Sequence, residues 1–178
     1  VKIAELGRRV HATAHLTGRF VLRSGQVVGE YFDKYQFEAD PVLLDAIAEA
    51  MVPLVPADTE VLAGLELGGI PVVTALGRRT GLPCAFVRKQ AKAYGTQRLA
   101  EGAETAGRRV TVVEDVVTTG GQIVLSTEEL RARGAWITGA LCVINRNQAT
   151  PQPLTDAGLS LRALFTSADL AAYTTAAG

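Results

Sequence analysis

Glu114 and Asp115 stand side by side at the end of the apolar run Arg109-Val-Thr-Val-Val. Val116 and Val117 carry the chain from them into Thr118-Thr-Gly-Gly-Gln122. Hydroxyls and glycines in a tight turn present O–H and backbone N–H donors to one anion. A helix starting at such a turn adds the positive end of its dipole. That chemistry suits a phosphate. Two carboxylates beside it would repel the phosphate, so another partner must explain them. Ribose hydroxyls are one such partner, and a metal bridging hydroxyls and a diphosphate is another. The combined reading is a sugar phosphate. The plainer alternative is a strand-to-helix turn in which Thr and Gly only make the bend. A P-loop is excluded, because no Gly-Lys-Ser/Thr follows the glycines, and the Gly-x-Gly-x-x-Gly dinucleotide spacing is absent.

A second group of charges lies in the segment from Phe86 to Gly102. Arg88, Lys89, Lys92 and Arg98 fall within it, with Tyr94 and Gly95 among them. Arg-Lys at a strand end suits a diphosphate, and a long polar loop with Lys at its centre suits a lid that closes over one. Taken alone, the segment reads equally as a solvated charged loop.

These groups need elements to hold them. Residues 3–16 have helical spacing, through Ile3, Leu6, Val10 and Ala14, and Gly18 ends that segment. Residues 20–25 and 27–37 read as short strands around a turn. Asp40-Pro41 is a helix start, with Asp as N-cap and Pro at the first helical position, and Pro53 and Pro56 close the helix. Strands are then expected at 60–67, 84–88, 109–117, 136–144 and 159–165, with helices opening at Gly68-Gly69-Ile70-Pro71 and at about Gln122. Residues 89–107 show no clear period. Strands alternating with helices predict an α/β fold with a parallel sheet and helices on both faces. Ligands of such sheets bind at the carboxyl ends of the strands, where the acids and the Thr/Gly turn fall. The first forty residues break the alternation and read as a small cap over that edge.

Composition sets the outer bounds. The chain has 178 residues, 48% of them hydrophobic, with 18 basic and 18 acidic side chains and a formal net charge of zero. Mean hydropathy is +0.19. This predicts one globular domain over 1–178 with a sizeable core and no broad basic footprint for nucleic acid. No apolar run approaches the roughly 18 residues of a membrane span, and no secretory core is evident. The start at Val1 is read as a trimmed or incomplete N-terminus. Cys84 and Cys142 lie in apolar runs without metal-ligand spacing and read as buried free thiols in a reducing cytosol. His11 and His15 could share a helix face, but a zinc site would need further ligands. Trp136 reads as core.

The acid pair with its Thr/Gly turn resembles the PRPP-binding motif of type I phosphoribosyltransferases. Arg88-Lys-x-Ala-Lys-x-x-Gly95 narrows the resemblance to the orotate phosphoribosyltransferase family. So do Leu22-Arg-Ser-Gly25 before Tyr31-Phe32-Asp33, the turn Leu65-Glu-Leu-Gly-Gly-Ile-Pro71, and Asn145-Arg146 at a strand end. Together these motifs cover about residues 18–166.

The resemblance implies the type I phosphoribosyltransferase fold: a mainly parallel central sheet flanked by helices, with a hood from about residues 1–40 plus the C-terminal strand. It implies transfer of phosphoribosyl from PRPP to orotate, giving orotidine 5′-monophosphate and diphosphate. Magnesium would be bound mainly through PRPP. Glu114 and Asp115 would hold the ribose hydroxyls, and Val116 to Gln122, chiefly Thr118, Thr119, Gly120 and Gly121, would cradle the 5′-phosphate. Arg88, Lys89 and Lys92 would clamp the diphosphate, with Lys92 and Tyr94 on the lid and Lys92 and Asp115 as catalytic residues. Arg146 and Thr118 would reach the orotate, with Arg23, Tyr31 and Phe32 in the base-binding segment. Tyr31 and Phe32 would stack on the pyrimidine or pack the cap. The lid would enter the neighbouring subunit's site, which implies a cytoplasmic homodimer without nucleic-acid or membrane partners.

The chain departs from the family's pattern at three places: Gly68 where many members carry Lys, Arg23 for Lys, and Tyr94 for His. A phosphoribosyltransferase for another base, such as a purine, is one competing reading, with Arg146 as the discriminating residue. A non-catalytic PRPP sensor is the other.

Overall fold

The computed structural model describes residues 2–90 and 99–175, so Lys92, Tyr94 and Arg98 lie outside the described residues. The chain opens with α1 (Ile3–Ala14), a hairpin of β1 (His15–Val21) and β2 (Val27–Phe32), and the helices α2 (Tyr35–Ala39) and α3 (Pro41–Met51). Alternation follows: β3 (Val61–Leu65), α4 (Gly69–Thr80), β4 (Cys84–Val87), β5 (Ala100–Gly102), β6 (Val110–Val117) and α5 (Gly121–Ala132). It ends with β7 (Gly139–Asn145), α6 (Gln152–Asp156), β8 (Ser160–Thr166) and α7 (Ser167–Thr175).

The six-stranded sheet has the order β5-β4-β3-β6-β7-β8, parallel except for β5 against β4. Its inner strands β3 and β7 are buried along their whole length, as strands covered on both sides must be. Successive residues serve opposite cores: Val113, Leu141 and Val143 pack with α1, α3 and α4, whereas Val112, Ala140 and Cys142 pack with α5 and α6. Asp40 caps α3 as predicted, its Oδ1 accepting from the N–H groups of Val42 and Leu43 at 3.0 Å each.

Several elements differ from the sequence reading. Gly18 does not end α1; the helix stops at Ala14, and Gly18 lies inside β1 where the hairpin register shifts between Thr17 and Phe20. The strand expected to reach residue 37 stops at Phe32. There Asp33 caps a turn, its Oδ1 accepting from Tyr35 N–H at 3.1 Å, and α2 begins. The C-terminal strand, expected in the hood, is the parallel edge strand of the main sheet. The C-terminal partner of the cap is α7 instead: its Tyr173 meets Phe165 edge-on at 6.3 Å and lies close over Gly7 of α1. Trp136 is not core. It is 70% exposed, because β7 begins only at Gly139 and Trp136 merely bridges to Arg109. Cys142 is buried, Cys84 is half-buried, and both are free.

Candidate active site

The parallel register brings the carboxyl ends of β3, β4, β6 and β7 to one edge. Gly64 pairs with Val113 and Val117 with Asn145, so the turns after β3, β6 and β7 adjoin.

The turn after β6 forms a cavity of about 120 Å³ lined by Glu114 and by residues 116–123, which include Val116, Val117, Thr118, Thr119, Gly120, Gly121 and Gln122. Gly120 is left-handed (φ 78°), and a Cβ there would lie 2.4 Å from Leu154 Cδ1, so only glycine fits. Helix α5 starts at Gly121 and points its first-turn N–H groups at the cavity, Gly121 N–H donating to Thr119 Oγ1 at 3.4 Å. The Thr118 and Thr119 side chains are exposed. Two residues after β7 brace the turn: Arg146 N–H donates to Val117 O at 2.9 Å and Asn147 Nδ2 to Thr118 O at 2.6 Å. Asn145 Oδ1 in turn accepts from Asn147 N–H at 3.1 Å.

The two acids part company. Glu114 faces the phosphate cavity, whereas Asp115 is fully buried, outside the walls of that cavity, with Lys34 Nζ 2.7 Å from its Oδ2. Glu38 of α2 is beside it, 7% exposed, with Oε1 buried and without a hydrogen-bond partner among the described residues. Burial, together with Asp115's hydrogen bond and charge, pushes the Glu38 carboxyl up to about 9. Burial, then the charge of Asp115, pushes Glu114 up to about 8. Burial would raise Asp115 as well, but hydrogen bonds from Glu38, Lys34 and Glu114 outweigh it and hold Asp115 below the ordinary carboxylate value. One ionised acid is thus flanked by two protonated ones.

On the β4 side, a cavity of about 200 Å³ is lined by Glu66, Leu67, Ile70, Phe86, Val87, Arg88 and Glu101. Arg88 sits 3.5 Å from Glu101, and its Nε is buried without a hydrogen-bond acceptor among the described residues. Lys89 is exposed and its N–H donates to Glu66. Gly69 lies so close to β6 that a Cβ would meet Val113 O at 2.6 Å.

On the β7 side, a cavity of about 230 Å³ lies between α1, α7 and the strand ends, lined in part by His11, Phe32, Ile144 and Arg146. The Arg146 guanidinium carbon is 5.5 Å from the Phe32 ring centroid, within cation–π range. The His11 ring stacks on His15 at 5.0 Å, and burial, then the neighbouring His15, lowers its pKa. Tyr31 and Phe32 project to opposite sides of β2. Phe32 faces Arg146, while Tyr31 is 44% exposed and packs on Phe20 at 5.5 Å. Arg23 is exposed at the hairpin tip. Lys34, Glu38 and Asn147 escaped the sequence reading, and His11 was weighed only as half of a zinc pair. The Asp33-Lys34 pair directly after two aromatic candidates, and Asn147 one residue after Arg146, were the available signals.

A larger cavity, about 380 Å³, lies at the opposite ends of β3, β6 and β7, around Thr59, Arg109 and Trp136. Size does not mark the site here: Glu114, Asp115, the Thr/Gly turn, Arg88 and Arg146 are at the other edge.

The comparisons with known proteins agree with this geometry. A family model described as phosphoribosyl transferase domain matches residues 36–160. An orotate phosphoribosyltransferase from a Nocardioides species is 52% identical, over 94% of this chain and 93% of its own length. The crystal structure of Mycobacterium tuberculosis orotate phosphoribosyltransferase with Fe(III) dicitrate superposes with a TM-score of 0.85. It is 34% identical, covering 94% of this chain and 98% of the other. The same enzyme in complex with PRPP gives a TM-score of 0.80 at 30% identity, covering 95% and 98%.

Proposed function

The chain belongs to the orotate phosphoribosyltransferase family, from which we infer where its substrates bind. It is a transferase that moves phosphoribosyl from PRPP to orotate, forming orotidine 5′-monophosphate and diphosphate in pyrimidine biosynthesis. The observation that carries the placement is the cavity that opens Glu114, the Thr118–Gly121 turn and the start of α5 onto one space.

In this reading the 5′-phosphate sits on the N–H groups of the turn and α5, and Glu114 and Asp115 serve the ribose. The diphosphate lies toward Arg88, whose buried Nε has no acceptor among the described residues, and Lys89, with Lys92 and Tyr94 supplied by the segment beyond Gln90. Orotate lies toward Arg146, whose guanidinium offers a carboxylate two parallel hydrogen bonds, with Phe32 against the ring and Thr118 within reach. N1 of orotate forms its bond to ribose C1 as the C1–O bond to diphosphate breaks, and the electron pair leaves with the diphosphate. Positive charge grows on the ribose beside the ionised Asp115. The negative charge grows on the leaving group beside the arginine and lysines.

Magnesium fits as a substrate-borne ion. Magnesium is commonly held by substrate phosphates with few protein ligands. Bound mainly through PRPP, the ion would neutralise charge on the diphosphate. A homodimer in which the segment around Lys92 completes the neighbouring site, and a cytoplasmic location suited to two free thiols, belong to the same proposal.

The test is loss of orotate absorbance with PRPP and magnesium, beside Arg146→Ala. Wild type consumes orotate only when PRPP is present, and the variant raises KM for orotate by about tenfold or more, the loss of a charge-assisted bidentate pair. A wild type that binds PRPP yet leaves orotate untouched would point to another base.

A further inference from the structure

Asp115 cannot serve a ligand in any orientation it pleases, because three groups fix its carboxylate. Lys34 reaches it from the cap at 2.7 Å, its own side chain only 34% exposed. Glu38 abuts it from α2. Gly68 leaves the room: a Cβ at that position would fall 1.7 Å from Asp115 Oδ2 and 2.9 Å from Glu38 Oε1. A side chain at 68 and this carboxylate position are mutually exclusive, so the cation beside Asp115 has to come from elsewhere. It comes from the residue that links β2 to α2. The ammonium is itself steered, lying 5.3 Å from the Tyr35 ring centroid.

Resting on the PRPP reading above, we propose that Lys34 and Glu38 are positioning residues: a clamp carried by the cap that fixes the Asp115 carboxylate and through it sets the affinity for PRPP. Lys34 keeps Asp115 ionised. Glu38, buried against Asp115, keeps its proton and shares it with that carboxylate. The other titratable groups facing the clamp are Glu114 on β6, Tyr35 beside Lys34, and Cys142 on β7, whose thiol burial keeps protonated. Burial works against charge on Lys34, but the hydrogen bond and charge of Asp115 prevail and raise its pKa, so the ammonium persists across the working range. The hairpin and α2 are thereby tied to the acid pair, and any movement of the cap is felt at the ribose.

The experiment compares wild type with Lys34→Met, Lys34→Arg and Glu38→Gln as full chains, reading kcat and KM for each substrate across pH, with PRPP binding measured by calorimetric titration. Lys34→Met removes the charge while keeping the shape. It raises KM for PRPP about tenfold, changes KM for orotate less than about twofold, and moves the acidic limb of kcat/KM for PRPP up by about one pH unit. Lys34→Arg restores the acidic limb. Glu38→Gln, which cannot ionise, moves the alkaline limb upward, and it carries the test if Lys34→Met does not fold. A folded Lys34→Met with wild-type KM for PRPP and an unmoved acidic limb overturns the clamp, as does Glu38→Gln with an unmoved alkaline limb. A wild type that fails to bind PRPP overturns the underlying reading instead, and the clamp with it.

Discussion

Gly120 carries two demands at once, a left-handed backbone and the absence of a Cβ against Leu154. Gly120→Ala meets both penalties and is expected to destabilise the protein by about 1–3 kcal/mol. Because the strain falls on the phosphate turn, KM for PRPP should rise more than KM for orotate; denaturant titration and initial rates read the two effects. This residue was legible in the sequence, as were Glu114, the two threonines and Arg146, because each belongs to a contiguous motif whose chemistry is written in neighbouring side chains. Lys34 and Glu38 were not. Their partner Asp115 is far along the chain, and nothing local to residues 33–38 announces a buried carboxylate. Gly68 is the reverse case. The sequence showed a lysine missing from the family's pattern, and only the packing supplies the reason: Asp115 fills the space a side chain would need.

At the level of elements, the clearest sequence signals were chemical ones. Asp40-Pro41 fixed the start of α3, and the structure places both cap hydrogen bonds at 3.0 Å. Asp40→Ala removes them and should cost about 1 kcal/mol, which for a chain of this size lowers Tm by roughly 2–4 °C. Calorimetry checks this, and activity at 25 °C should be almost untouched, since α3 supports α4 from behind the sheet rather than lining the site. The strands of the main sheet were legible because apolar runs of that length, spaced by helices, have few other uses. The short elements were not: α2 and α6 have five residues each and β5 three, too few to show a period. Trp136 illustrates the other failure. A large aromatic before an apolar strand suggests core, but the strand starts three residues later and leaves the ring in solvent. That a hairpin and three helices from both ends of the chain would build the cap was likewise set by long-range packing of α7 on α1, which local pattern does not encode.

Across the whole molecule, the titrating groups leave a pH signature that no single pair dictates. Glu38 and Glu114 stay protonated in the fold well above their ordinary value of 4.5, to about 9 and about 8. The unfolded chain therefore binds fewer protons than the native one between those limits, so stability falls as pH rises through that window. Asp115 has the opposite sign, but its contribution is lost only as pH falls below the ordinary carboxylate range. His11, held below 6.5, also opposes the trend, and only on the acidic side of neutrality. Lys34 keeps its charge, and its contribution, until pH passes 10.5. The groups compete below pH 7 and stop competing above it. Thermal melts should therefore show Tm falling steadily from pH 7 to 9, and Glu38→Gln should flatten the decline by removing the proton that the native state alone retains. A flat wild-type profile would mean that Glu38 and Glu114 ionise in the fold as freely as in the open chain, which the buried cluster around Asp115 does not allow.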